Sequence, residues 1–103
     1  MSQVDDQQQY WDLVDDFISR ANEHCDQFDP SMVNAAMLQA VSRFNAFIVA
    51  SSSVDRTEYT DEMESSLRYL TNQYRDQLRE HLDDYRENFK VYTRSEAEDP
   101  SVE

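Results

Sequence analysis

Few residues in this chain are of a type that does chemistry, and their spacing limits what they can do. His24 and Cys25 are adjacent. Neighbours on a helix point about 100° apart, so a thiolate–imidazole pair has no geometric basis, and Cys25 is expected in the core. His81 has Asp84 three residues on, a spacing at which a carboxylate could orient an imidazole as a base or a pH-sensitive contact. Arg43 is the only charge between residues 31 and 53, and Phe44, Asn45 and Phe47 surround it. A guanidinium set among apolar groups needs a partner. Either an anionic ligand or an acid from another helix, or from a second chain, would serve. An enzyme would require His81, Asp84 and Arg43 to converge. The simpler expectation is that Arg43, Asn45 and His81 are buried polar residues of a helix interface.

Metal and cofactor chemistry find no motif. A di-metal bundle site needs inward-facing Glu and a Glu-x-x-His pair on each of two helices, and neither His24 nor His81 has a Glu three residues before it. Asp12, Asp15 and Asp16 fall on the polar side of their helix and read as a solvated face. The chain has no glycine, which removes the phosphate-cradling P-loop, the dinucleotide turn and the nucleophile elbow. No catalytic, cofactor-binding or metal residue is therefore expected.

Three helices must position these residues. In the first, about 7–26, Tyr10, Leu13, Val14, Phe17, Ile18, Ala21 and Cys25 recur at steps of three and four, which makes one apolar stripe; Asp16 and Arg20 form an i,i+4 pair. The second, 30–51, opens at Asp29-Pro30, a capping residue followed by proline at the first helical position. Its main stripe runs through Val33, Ala36, Met37, Ala40, Val41, Phe44, Phe47 and Ile48. A second set, Ala35, Leu38, Ser42, Ala46 and Val49, lies on the far side, which predicts a central helix covered on both faces. The third, 56–92, starts with a capping box formed by Asp55 and Glu58. It carries Tyr59, Met63, Leu67, Leu70, Tyr74, Leu78, Leu82, Tyr85, Phe89 and Tyr92 on one continuous stripe. Glu64–Arg68 and Glu87–Lys90 are local pairs along it.

Helix lengths then conflict. At about 1.5 Å per residue the first two helices span roughly 30 Å and the third roughly 50 Å. An overhang bearing Leu78, Leu82, Tyr85, Phe89 and Tyr92 would lack a neighbour, as would the small-residue face of helix 2 at Ala35, Leu38, Ser42 and Val49. Apolar faces of this kind mark association surfaces. The expected architecture is an all-α, antiparallel three-helix bundle with a long third helix, one domain over 1–94, and a homodimer across those two faces. Residues 95–103, with four acids and Pro100, are expected to be a disordered acidic tail.

Composition bounds the partners. Net charge is −13 over 103 residues, which repels phosphate backbones and anionic membranes and favours, if anything, a basic protein partner. One cysteine excludes an intrachain disulfide. Residues 1–9 show no signal peptide, and the longest uninterrupted apolar run, 46–50, is too short to span a bilayer. A cytoplasmic protein is expected.

The stretches Asp29-Pro30-Ser31 through Arg43-Phe44-Asn45-Ala46-Phe47, and Leu82-Asp83-Asp84-Tyr85 to Asn88-Phe89, with Ala21-Asn22-Glu23 in helix 1, resemble a domain-of-unknown-function family of small, mostly gammaproteobacterial proteins. The resemblance covers about residues 8–92. It implies a small helical cytosolic protein and supplies no activity, substrate or catalytic residue. Together these readings point to a non-enzymatic interaction or regulatory protein, with an acidic mimic of a basic protein's ligand as the alternative.

Overall fold

The computed structural model describes residues 3–89, and within them the chain is all-helical with no strand. Three helices follow in order: α1, Gln3–Cys25; α2, Pro30–Ser51; and α3, Arg56–Glu87. The chain divides into two compact units, Met1–Ser52 and Ser53–Glu103. The first contains α1 and α2, which pack against each other; the second contains α3.

The helix ends explain how a chain without glycine turns twice. No described residue takes a positive φ, so neither turn uses the left-handed closure that glycine usually supplies. After α1 the chain tightens instead. Asp26 donates its backbone N–H to the Glu23 carbonyl at 3.2 Å, Gln27 to His24 at 3.1 Å, and Phe28 again to His24 at 2.9 Å. Asp29 then caps α2, its carboxylate accepting the Ser31 N–H at 2.8 Å, and Pro30 fills the first turn. A cap of this kind is worth about 1 kcal/mol. At the other end of α2, Ser52 stays near right-handed helical angles, and both its N–H and its hydroxyl donate to the Ile48 carbonyl, at 3.1 and 2.8 Å. Residues 52–55 link α2 to α3.

Asp55 caps α3 by accepting the Glu58 N–H at 2.9 Å. The Glu58 carboxylate reaches back one residue further than a capping box requires and accepts the Val54 N–H at 3.2 Å. From there α3 runs unbroken for 32 residues, about 48 Å. Asn88 closes it: its N–H donates to the Asp84 carbonyl at 3.0 Å and its side-chain amide to the Asp84 carboxylate at 2.9 Å. The expected extension to residue 92, the Glu87–Lys90 pair, Tyr92 and the acidic tail lie outside the described residues.

Packing departs from the expected core. No described residue is buried. In α1 the half-covered positions are Val14, Ala21 and Cys25; in α2 they are Val33, Asn45 and Val49; in α3 they are Tyr59, Ser66, Leu70 and Asp83. Apart from Tyr59 and Leu70, these are small or polar residues. The large apolar side chains face solvent instead, with Phe17 70% exposed, Phe44 60%, Phe47 59% and Leu82 61%. Helix α2, expected to be covered on two sides, holds no buried residue. A packed neighbour covers only the facing part of a helix's circumference, and the covered part of α2 carries its slender residues.

Candidate protein-binding surface

The residues that could recognise something lie on α2 and on the apolar side of α3. On α2, Ala36, Gln39, Ala40, Arg43, Phe44 and Phe47 line an open groove of about 640 Å³. Their steps of three and four put them on one face. Ala36 and Ala40, one turn apart, leave the backbone accessible. Small side chains at a contact let two helices approach toward the short end of the usual 8–10 Å interaxial range. Phe44 and Phe47 stand beside them, ring centroids 6.1 Å apart and tilted by 35°. Gln39 and Arg43 supply the polar groups.

Arg43 is exposed, not buried. It makes no ion pair among the described residues, where an acid from another helix was expected. The reason is positional: it projects on the groove side of α2, roughly 120–160° around the helix from Asn45 and Val49. Asn45 is half-covered, as suits a polar residue at a helix contact. His81 is also exposed. Arg43 belongs to the first unit and His81 and Asp84 to the second. Asp84 is held by Asn88.

The expected interface positions divide. Leu78, Leu82 and Tyr85 are exposed along α3, as is Phe89 just past its end, and Met63 and Leu67 extend the same open stripe toward the N-terminal half. On α2, Ala35, Leu38 and Ser42 are exposed, and the Ser42 hydroxyl is satisfied by the Gln39 carbonyl at 2.9 Å. Val49 is half-covered. The groove therefore lies along the aromatic edge of the main stripe and not on the small-residue face. The signal for it was present in Ala36 and Ala40 alternating with Phe44 and Phe47, which reads equally as one half of a closed core.

Electrostatics separates α2 from its neighbours. Arg43 is its only charged residue, whereas acids crowd α1 and α3. The local ion pairs of Arg20 and Arg86 are exposed. Arg20 pairs with Glu23 at 3.0 Å in place of Asp16, and Arg86 reaches Asp83 and Glu87, each at 3.5 Å. Such pairs contribute at most about 1 kcal/mol. Glu64 and Arg68 form no ion pair among the described residues. No group of three or more His, Cys, Asp or Glu among the described residues is placed to hold a metal ion. By length and composition alone, α2 is also apolar enough to cross a membrane, a test that the core helix of a soluble protein passes equally.

Neither a curated protein nor a solved structure matches the chain. A family model described as "Protein of unknown function (DUF3144)" matches residues 10–86, well over half of the sequence, and the chain therefore belongs to that family, which has no assigned activity.

Proposed function

We propose that this protein is a non-enzymatic, cytoplasmic interaction protein that works as a homodimer, its protomer an antiparallel three-helix arrangement completed by the second copy. One observation carries the reading. No described residue is buried, while Phe17, Phe44, Phe47 and Leu82 each expose more than half their surface. Fully covering a Phe or Leu side chain contributes roughly 1.5–3 kcal/mol, so a partner that closes these faces gains a large fraction of a small domain's stability. Helical stability in proteins comes mainly from packing an apolar face and only weakly from propensity. The surfaces that this dimer covers include the α2 groove around Arg43 and the stripe at Leu78, Leu82, Tyr85 and Phe89 along α3 and just past its end.

Thermal unfolding followed across a hundredfold range of protein concentration tests this. A homodimer that melts together with its interface gains melting temperature as concentration rises. A melting temperature independent of concentration, with helicity retained, contradicts the reading.

A further inference from the structure

Two charged rows on different helices share one spacing. On α1, Asp5, Asp12, Asp16 and Glu23 follow one another at steps of seven, four and seven; on α3, Arg68, Arg75, Arg79 and Arg86 follow at the same steps. At 3.6 residues per turn, each set stays within about 40° of a line along its helix and spans about 27 Å. All eight side chains are exposed. The acidic row lies roughly 180° around α1 from half-covered Val14, Ala21 and Cys25. The arginine row lies roughly 180° around α3 from half-covered Tyr59, Ser66 and Leu70. The fourth half-covered residue of α3, Asp83, is shielded by its own ion pair with Arg86 at 3.5 Å. Each row thus marks the open side of its helix. Asp76 and Glu80 occupy the adjoining face of α3, so the arginines form a basic strip between an apolar and an acidic one.

We propose that these rows pair between two copies of the chain, α1 of one against α3 of the other, as a four-rung charge ladder. The proposal rests on the self-association reading above and adds which faces meet. Opposite sign with equal spacing and length argues for the partner's identity. The order seven, four, seven is a palindrome, so four rungs can form with the helices running in either direction.

A second copy is free to slide until the four rungs are in register. The contacts already made by Asp12, Glu23, Arg75 and Arg86 are exposed ones, Arg86 reaching Asp83 and Glu87 each at 3.5 Å. Gln8 donates to Asp12 at 3.0 Å, Arg75 donates to the Asn72 side chain at 2.7 Å, and Arg20 holds Glu23 at 3.0 Å; all are exposed contacts of a few tenths of a kcal/mol. Asp16 and Arg79 make no ion pair among the described residues.

Sedimentation velocity on the full chain tests this with two double variants of the middle rungs, Asp12→Lys with Asp16→Lys and Arg75→Glu with Arg79→Glu, and with their equimolar mixture. Circular dichroism checks that each stays helical. The ladder predicts that each variant alone associates at least ~10-fold more weakly than the wild type. The mixture should recover to within about threefold, because reversed rungs pair with each other and native rungs pair in the second contact. Wild-type association should also weaken as salt rises. Variants that associate as tightly as a dimeric wild type overturn the ladder and leave self-association standing, as does a mixture no tighter than its components. A wild type monomeric at every concentration overturns both. Loss of helicity in the variants, without recovery in the mixture, assigns the rows to contacts within one chain and contradicts the proposal.

Discussion

Phe44 and Phe47 stand one turn apart on α2 with ring centroids 6.1 Å from each other, beside a guanidinium that makes no ion pair among the described residues. Aromatic and arginine side chains of this kind dominate binding energy at protein interfaces. Replacing both rings, Phe44→Ala with Phe47→Ala, is expected to weaken self-association by more than ~10-fold while leaving far-ultraviolet circular dichroism close to wild type, since neither ring is covered within the chain. Dilution monitored by light scattering reads the first effect.

The start of α3 makes a separable prediction. Asp55 accepts the Glu58 N–H at 2.9 Å, and Glu58 accepts the Val54 N–H at 3.2 Å. Asp55→Ala should cost about 1 kcal/mol of stability, measured by urea unfolding at fixed protein concentration. Glu58→Ala should cost less, because the N–H that its carboxylate accepts belongs to a residue outside the helix. Neither change should alter the association of the folded protein.

Much of the fold was legible in the sequence. Asp29-Pro30 placed the start of α2 because a capping carboxylate and a proline at the first turn leave little freedom there. The start of α1 was not legible from periodicity. The helix begins at Gln3, whereas the apolar stripe begins at Tyr10, and the intervening turns hold on glutamines of fair helix propensity and on Asp5 and Asp6 near the positive end of the dipole. At the other end, α3 is capped by Asn88 on Asp84, which the apolar stripe running on through Phe89 does not signal.

What periodicity does not reveal is which molecule covers an apolar face. Phe44 and Phe47 carry the same pattern whether their neighbour is the same chain or another. Arg43 was expected to be buried for that reason, and it is exposed because the covered side of α2 is the one with Asn45 and Val49. The acidic and basic rows are visible as spacings, yet they gain meaning only once the half-covered positions show which side of each helix stays open.

On α3, Leu82 is 61% exposed and sits at the middle of the open C-terminal stripe with Leu78 and Tyr85. Leu82→Asp places a charge where the proposed contact would desolvate it, a cost of several kcal/mol. Self-association should fall by ~100-fold or more, the counterpart of about 3 kcal/mol, with the isolated chain still helical. A Leu82→Asp protein that associates as the wild type does would move the interface off this stripe. Gln73→Asp, about 180° around α3 from Leu82 and exposed, serves as a control that should associate normally.

The central claim is that this chain closes its apolar faces with a second copy of itself. Light scattering coupled to size exclusion, at micromolar concentration and moderate salt, measures that directly. The account predicts a mass twice the 12.2 kDa of the single chain. A mass of 12.2 kDa at every concentration, from a protein that retains its helicity, would contradict it.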